Sequence, residues 1–307
     1  MPDGPAQMAP IMVAAMAVMT GQARHVLCFR ALTESSSQTA GRRASIAGAG
    51  KAQIGGWMSW LASVGALSAS NWAGWMAQRC FHEFGMTREH LGMIAVAERQ
   101  FACLNPMAVM QKPLTMEDYM AARMISTPLC LFDCDVPIDG AAVVIVSAAD
   151  AARDCRLPPI RIEAMGSALR SQETWDQRAD LTTMGSHDSA ADMWTRTDIK
   201  PHEIDVLGLY DGFSIFVPMW LEALGLCGHG EAKDFIAEGN IAPGGRYPVN
   251  TGGGQLSGGR LHGFGLLHEV CLQLWGQAGG RQLTDPKVGV CGMGGGFIAG
   301  SMLLQRD

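Results

Sequence analysis

The chain has 307 residues, of which 48% are hydrophobic and 17% are charged, so it is long enough for one large domain or two fused halves. Its net charge of −6 argues against a general nucleic-acid-binding protein, which normally presents a basic face. The basic residues are scattered, which argues against a membrane-binding patch. The nine cysteines form no Cys-x-x-Cys pair and indicate buried thiols in a reducing, cytoplasmic compartment.

Residues 8–22, rich in alanine and methionine, predict the first helix. No basic residue precedes them and the segment is too short to span a bilayer, so a buried helix is favoured over a signal peptide. The run at residues 25–29 follows and suits a buried strand. Residues 35–70 are rich in serine, glycine and alanine, and Trp57 and Trp60 within them favour an ordered loop near a site over disorder.

Helices and one strand complete the first half of the chain. Two helices are predicted over residues 71–85 and 87–101, the second with Thr87 as its N-cap. Thr115 stands three residues before an aspartate, which resembles a capping box and predicts the start of another helix. The run "VVIV" at residues 143–146 indicates a strand that is buried on both faces.

The pair Pro158-Pro159 predicts a linker, which divides the chain into an N-terminal half over residues 1–157 and a C-terminal half over residues 158–307. The second half again alternates strand-like and helix-like segments. In chain order these are strand 160–168, helix 187–196, strand 204–214, helix 216–226, helix 265–278 and the final pair 287–296 and 297–307. The alternation predicts α/β layers with mostly parallel sheets.

Several blocks of the sequence resemble the thiolase superfamily, most closely its sterol-carrier and lipid-transfer branch. "HEIDVLGLYDGFSIFVPMWLEALGLC" is followed by "NTGGGQLSGG" and "VCGMGGG", and the N-terminal blocks also fall in the family's order. The resemblance implies a five-layer α-β-α-β-α fold of two related halves, an acyl-CoA substrate, a homodimer and a small OB-fold, zinc-ribbon partner protein. We expect no nucleic-acid or membrane partner, no metal, and no cofactor beyond the coenzyme A of the substrate.

The beginning of the sequence departs from the family pattern. A thiolase places its nucleophilic Cys where Gly4 and Pro5 stand, and no Cys precedes Cys28. The β-α-β segment that comes before this position in the family is missing from the sequence. We therefore expect the N-terminal half to be truncated, since a sheet without its central strands would expose unpaired edges and apolar surface.

The glycine-rich loop that begins at Asn250 also departs from the pattern. Thiolases carry a catalytic His directly after this loop, whereas Arg260 stands there, with His262 two residues later. Arginine stays protonated and cannot act as a general base, but it can balance negative charge that develops on a thioester oxygen. His262 could have the same role.

Tyr210-Asp211 replaces the Asn-Glu of thiolases and the His-Asp of sterol-carrier thiolases. Lipid-transfer relatives that act as aldolases on steroid thioesters also carry a Tyr here, so Tyr210 and Asp211 are candidates for proton transfer. A Tyr that caps a strand is the alternative. Cys291 lies one residue from the position of the proton-shuttling thiolase Cys, so a catalytic role competes with that of a buried strand thiol.

Substrate binding is predicted at the glycine runs, because a backbone without Cβ atoms can approach a thioester closely. The tryptophans could line a broad apolar acyl pocket, with core packing as the alternative. The candidate binding residues are Asn250, Gly253, Gly254, Ser257, Gly259, Gly294, Gly295, Gly296, Phe213, Trp57 and Trp60. The histidines show no metal-ligand spacing, which favours surface or core positions for them.

These observations leave three hypotheses. The first is an acyl-CoA lyase that splits a β-hydroxyacyl thioester by a retro-aldol reaction, which needs no covalent nucleophile, and acts on a bulky, steroid or aromatic acyl group. The second is a conventional thiolase or acyltransferase whose Cys segment is missing from this sequence. The third is a non-catalytic subunit that binds acyl-CoA or lipid.

Overall fold

The computed structural model describes residues 8–40, 55–56, 58–170 and 174–306. Its α-helices are α1 (Ala9–Met19), α2 (Glu34–Thr39), α3 (Met58–Ser63), α4 (Ala69–Phe84), α5 (Arg88–Cys103), α6 (Met116–Ala121), α7 (Ala149–Ala152), α8 (Gly185–Trp194), α9 (Phe216–Ala223), α10 (Ala232–Ala237) and α11 (Phe264–Leu274). Its strands are β1 (His25–Thr33), β2 (Met124–Ser126), β3 (Leu129–Cys130), β4 (Asp139–Ser147), β5 (Ile160–Leu169), β6 (Val206–Leu209), β7 (Val288–Gly295) and β8 (Ile298–Arg306). The predicted α/β class is confirmed.

The main sheet has four strands in the order β5-β8-β7-β6. Only β6 and β7 run parallel within it, whereas β5 with β8 and β7 with β8 are antiparallel. Strands β1 and β4 form a separate antiparallel ribbon, in register from His25 opposite Ser147 to Thr33 opposite Asp139. The expectation of mostly parallel sheets is therefore wrong for the described residues. Only two residues separate β7 from β8, and such a short connection can join antiparallel strands but not parallel ones.

Both faces of the main sheet are buried, as shown by β7, in which every residue is buried. Val290 faces a core that includes residues of α4, α5, α8 and α9, whereas Cys291, the next residue along the strand, faces a second core. The second core is formed with α1, α11 and the inner face of the β1–β4 ribbon. Layers of helices and sheets thus alternate through the molecule, as the resemblance implies.

The outer face of the ribbon is exposed at Leu27, Phe29, Val143 and Ile145, because only its inner face packs on the second core. The predictions of a buried strand at residues 25–29 and of a strand buried on both faces at residues 143–146 are therefore wrong. The predicted domain boundary after residue 157 stays a prediction.

Local capping signals place the helices of the first half. Thr115 accepts a hydrogen bond from the backbone N–H of Asp118 (3.0 Å), and the Asp118 carboxylate accepts from the backbone N–H of Thr115 (3.1 Å), so the predicted capping box is confirmed. Thr87 is the N-cap of α5, as predicted. The described part of the predicted loop over residues 35–70 contains most of α2, all of α3 and the start of α4, whereas residues 41–54 and 57 lie outside the described residues. No helix within the described ranges is long and apolar enough to cross a membrane.

We expect Gly166→Ala to lower the free energy of unfolding by about 1–3 kcal/mol, the usual cost of overpacking a core. A Cβ atom at Gly166 would meet the backbone oxygen of Ser189 and lie 2.6 Å from the backbone nitrogen of Met193, so α8 would have to move off the sheet. Urea denaturation measures the change. Gly280→Ala is the matched control, since no heavy atom lies within 4 Å of its Cβ position, and equal losses in both variants would contradict the packing argument.

Candidate active site

The glycine-rich loop follows Val249, which forms a parallel bridge with Leu207 of β6. The loop contains one turn of π-helix at Gly254–Gly258. Gly254 has φ of 61°, and a Cβ atom there would collide with the carboxyl groups of Asp211 and Glu98. This glycine is therefore required both by its backbone conformation and by the two acids packed against it.

Asn250 fastens the start of the loop to the end of β6. Its Oδ1 accepts from the backbone N–H of Leu209 (2.8 Å) and its Nδ2 donates to the Leu209 carbonyl (2.9 Å). The same Nδ2 donates to Oε1 of Glu98 on α5 (2.8 Å). Asn250 is 1% exposed and has φ of 53°, a left-handed conformation that asparagine tolerates better than most residues. Its amide thus links the sheet, the loop and α5.

Asp211 is fully buried and holds the loop from the other side. Its Oδ2 accepts from the backbone N–H groups of Gln255 (2.6 Å) and Leu256 (3.1 Å), and its Oδ1 accepts from Nε2 of Gln255 (3.3 Å). These contacts occupy the Asp211 carboxylate with loop amides. The predicted catalytic role of Asp211 stays a prediction, and the geometry favours a positioning role.

Glu98 is the partner of Asp211 that sequence reasoning missed. Its side chain is 1% exposed, and burial together with the charge of Asp211 raises the pKa of Glu98 well above its usual range. Burial also raises the pKa of Asp211. Both shifts favour retention of a proton by this pair of carboxyl groups. Helical spacing could have revealed Glu98, because its neighbours three and four positions away are all buried: Ile94, Ala95, Phe101 and Ala102.

Tyr210 lies directly after β6, and its backbone N–H donates to the Gly292 carbonyl of β7 (2.8 Å). Its ring stacks beside Phe216, with 6.2 Å between centroids. Burial, followed by the nearby charge of Asp135, raises the pKa of the Tyr210 hydroxyl above its ordinary value. Tyr210 is therefore protonated at neutral pH and is available to donate a proton or a hydrogen bond.

The segment that carries Asp135 lies between the Tyr210 turn and the glycine loop. The backbone N–H of Asp135 donates to Gly212 (3.3 Å), and that of Val136 donates to Gln255 (2.9 Å). Burial raises the pKa of Asp135 to about 7, against the opposing effect of Arg260. Asp135 is therefore a second acid that sequence reasoning missed, and its pKa suits proton transfer near neutral pH.

Arg260 and His262 converge on one cluster of acids. Arg260 forms an ion pair with Glu34 and donates to the Asp135 carboxylate at 3.2 and 3.3 Å. His262 Nε2 lies 3.4 Å from Oε1 of Glu34. The guanidinium is 12% exposed, so its charge is shared largely with the two carboxylates. Arg260 therefore orients Asp135 beside Tyr210, and the predicted contact of Arg260 or His262 with a substrate oxygen stays a prediction.

The remaining binding candidates support the loop and the end of β7. Ser257 Oγ accepts from Nε of Arg99 (2.8 Å), and Gly294 O accepts from Nε1 of Trp220 (3.1 Å). The Phe213 ring packs edge-on against Phe216, with 5.7 Å between centroids.

Close packing explains three more glycines, because an added Cβ would press on a neighbouring side chain at Gly259, Gly295 and Gly296. Gly253 has φ of 96°, which also favours glycine.

Two of the predicted site residues differ sharply in burial: the Cys291 side chain is fully buried, and the Trp60 side chain is largely exposed. Cys291 is fully buried in the middle of β7, and burial raises the pKa of its thiol well above the usual range, which fits the alternative of a buried strand thiol. Trp60 on α3 is 71% exposed. Trp57 lies outside the described residues. The predicted roles of these three residues stay predictions.

A cavity of about 430 Å³ lies on the far side of Arg99. It is lined by Arg99, Pro113, Leu114, Asp118, Ala121, Ala122, Arg123, Leu131 and Phe132. Arg99 connects this cavity with the glycine loop, because the same side chain donates to Ser257. The volume lies in the range of small-molecule sites, and two arginines give the lining a cationic character.

Residues 167–304 match the family described as thiolase C-terminal domain-like. The chain is 38% identical over 276 residues to the steroid side-chain-cleaving aldolase of Thermomonospora curvata, which covers 87% of this chain and 70% of that protein. It is 35% identical over 297 residues to the 17-hydroxy-3-oxo-4-pregnene-20-carboxyl-CoA lyase of Mycobacterium tuberculosis, which covers 94% of this chain and 74% of that protein.

The solved structure titled "Ltp2-ChsH2(DUF35) aldolase" superposes with a TM-score of 0.88 at 32% identity, over 99% of this chain and 78% of that chain. Fold and sequence together define a member of the thiolase superfamily. Within it, the chain belongs to the branch of sterol-carrier and lipid-transfer proteins, as the sequence blocks predict.

We expect Glu98→Gln to remove a pH dependence of stability. Above the ordinary Glu pKa of about 4.3, the unfolded chain has released a proton that folded Glu98 still holds. The free energy of unfolding then falls as pH rises, by up to about 1.4 kcal/mol per pH unit, until Glu98 ionises in the folded chain. Urea denaturation from about pH 5 to pH 9 measures this slope.

The slope should be shallower in Glu98→Gln than in the wild type. Glu89→Gln is the control, because Glu89 is exposed at the start of the same helix. Identical pH slopes in the wild type and Glu98→Gln would show that Glu98 does not keep its proton in the folded chain.

Proposed function

We propose that this protein is an acyl-CoA lyase that cleaves a β-hydroxyacyl thioester of a bulky, steroid-like acid by a retro-aldol reaction. The observation that carries the proposal is the identity of 38% and 35%, over 87% and 94% of the chain, with two proteins named for steroid side-chain cleavage and for a pregnene carboxyl-CoA lyase. The described part of the site supports this chemistry with Asp135 and Tyr210, whose pKa values suit proton transfer.

The reaction requires two proton transfers and one bond cleavage. A base removes the proton of the β-hydroxyl group, the electrons of that O–H bond form a carbonyl, and the bond between the α and β carbons breaks. The electrons of that bond form a thioester enolate, which takes up at the α carbon the proton that the base has accepted, so that the base is restored. The products are a ketone and a shorter acyl-CoA, and no free coenzyme A is consumed.

Asp135 and Tyr210 have the properties that the first transfer requires. Asp135, with a pKa of about 7, is partly ionised at neutral pH and can accept a proton. Tyr210 is protonated, so its hydroxyl passes the substrate proton toward Asp135 by giving up its own proton as it receives another. Arg260 holds the Asp135 carboxylate in place through its two contacts of 3.2 and 3.3 Å.

The cavity beside Arg99 is the proposed binding site for part of the acyl-CoA. Arg123 is exposed at this cavity and Arg99 lies in its wall, so both can attract the phosphate groups of coenzyme A. Arg99 in the cavity wall donates to Ser257 of the glycine loop, so the loop lies next to the cavity. We place the bound thioester at the glycine positions of this loop. Coenzyme A enters as part of the substrate, and no other cofactor is proposed for the reaction.

The proposed assembly includes a second protein. The aligned structure is titled as a complex with a DUF35 component, and we propose a partner of this type, with the predicted OB fold and zinc ribbon, for this chain. Apolar side chains near the glycine loop offer a contact surface, since Leu104, Met107 and Val109 are 48%, 84% and 52% exposed. A homodimer and a cytoplasmic location remain part of the proposal.

Tyr210→Phe should reduce lyase turnover by at least about 100-fold, because it removes a hydroxyl that transfers a proton. The affinity for acyl-CoA should change by less than about threefold, since the ring and its packing against Phe216 are retained. The measurement is ketone release from 17-hydroxy-3-oxo-4-pregnene-20-carboxyl-CoA by the protein with its DUF35-type partner. Tyr247→Phe is the control, as its ring packs on Phe235 instead. Unchanged turnover in Tyr210→Phe would remove Tyr210 from the mechanism.

Asp135 should set the acidic limb of the pH–rate profile. Since burial raises its pKa to about 7, its basic form accumulates as pH rises, and kcat/KM should increase up to about pH 7 and then level off. Asp135→Asn should lower kcat/KM by at least about 100-fold and remove this limb. A variant that keeps the same acidic limb at reduced rate would show that another group is the base. Thermal unfolding of both proteins checks that the fold is retained.

A further inference from the structure

We propose that His187, Glu222 and His229 form a binding site for one divalent metal ion of the zinc type, made of residues that the proposed mechanism does not use. One potential ligand atom from each of the three side chains lies within 4.8 Å of the others. Two imidazoles and one carboxylate are a ligand set that zinc accepts, and a water molecule would complete a tetrahedral shell.

The hydrogen bonds of His229 leave a ligand atom free for the metal. Asp180 is ionised, because hydrogen bonds from Thr183 and Thr182 outweigh burial and lower its pKa to about 2. Thr182 donates its single hydroxyl proton to Asp180 (2.7 Å), so its oxygen accepts from Nε2 of His229 (3.2 Å). The other ring nitrogen of His229, Nδ1, lies 2.9 Å from Glu222 Oε2, so these two potential ligand atoms already face each other.

A metal ion bound to both atoms would replace this direct contact, and His187 supplies an independent observation that favours one. His187 Nε2 is buried and has no hydrogen-bond partner among the described residues. Metal binding through Nε2 would place the ring proton on Nδ1, which would then donate to Ser186 Oγ, 3.3 Å away, in place of the 3.4 Å contact that Nδ1 accepts from the backbone N–H of Met184. Its ring centroid is 6.1 Å from that of His229.

The surrounding structure prepares the other two ligands. Glu222 is held by its Oε1, which accepts from the backbone N–H groups of Gly230 (3.0 Å) and Ala232 (3.3 Å), so Oε2 remains directed at the site. The contact of His229 with Thr182 is the outer hydrogen bond that metal-bound histidines commonly make. Zinc ligands lie about 3.3 Å apart in a tetrahedron, so the half-exposed His229, between two glycines, needs only a small shift.

The site would anchor the wall behind the candidate substrate site. His187 lies in the first turn of α8, and Gly185 at the start of that helix donates to Gly296 O (2.8 Å). Arg178, from the segment before α8, donates to the same carbonyl (3.3 Å). A metal bound by His187, Glu222 and His229 would therefore fasten α8 to the end of α9 and hold this turn in place.

The test is zinc binding to the metal-free protein under reducing conditions, measured by isothermal titration calorimetry and by thermal unfolding with and without Zn²⁺. The wild type should bind one zinc ion per chain and unfold at a higher temperature when it is bound. His229→Gln and His187→Gln should each weaken binding by at least about tenfold and lose the thermal shift. His202→Gln, which changes an exposed histidine, should behave as the wild type.

The half-exposed side chain of His229 makes His229→Gln the variant most certain to fold, and far-UV circular dichroism checks this without metal. Absence of zinc binding by the wild type would overturn the proposal. Equal zinc affinity in the wild type and His229→Gln would overturn it as well, since the metal would then lie elsewhere, for example on exposed thiols. None of these readouts depends on lyase activity, so failure of the proposed function leaves the test intact.

Discussion

The arrangement of the site depends on two carboxyl groups, those of Glu98 and Asp211, that are buried against each other and whose pKa values are raised by burial. Glu98 and Asp211 lie against Gly254, where two ionised acids would repel in a medium that water does not reach. Retaining a proton removes that repulsion and leaves Asp211 able to accept the loop amides. Asn250 completes the arrangement by bonding both Glu98 and the end of β6. The loop conformation, and with it the glycines, follows from this pair.

A second set of side chains, which includes Asp135 and Tyr210, lies on the other side of the same turn and carries the proposed chemistry. The backbone N–H groups of Asp135 and Val136 donate to Gly212 and Gln255. Gln255 in turn donates to Asp211, so hydrogen bonds connect the two sets of side chains. Both oxygens of Asp211 and Oε1 of Glu98 accept hydrogen bonds from the protein, whereas Asp135 and Tyr210 carry the proposed proton transfer. One short turn after β6 thus contains both Asp211, which holds the glycine loop, and Tyr210, whose hydroxyl we propose for proton transfer.

Local patterns in the sequence predicted much of the fold but only part of the site. Helical periodicity and capping predicted α4, α5 and α6. The blocks that resemble the thiolase superfamily marked Tyr210 and the glycine loop as parts of one candidate site. The antiparallel pairing of most strands was missed, because the sequence of one strand does not show which strand it pairs with or in which direction. Asp135 and Glu34 were missed because their roles arise from contact with Arg260, far away in sequence. The His187–Glu222–His229 group likewise has no regular spacing.

The most direct test of the retro-aldol assignment is the product balance of a single-turnover reaction without free coenzyme A. The protein and its DUF35-type partner would be mixed with the steroid β-hydroxyacyl-CoA, and the products would be quantified by mass spectrometry. The account predicts one ketone and one shorter acyl-CoA for each substrate consumed, at a rate that added coenzyme A does not change. Cleavage that requires added coenzyme A, or that proceeds only with a β-ketoacyl substrate, would contradict it and indicate thiolase chemistry.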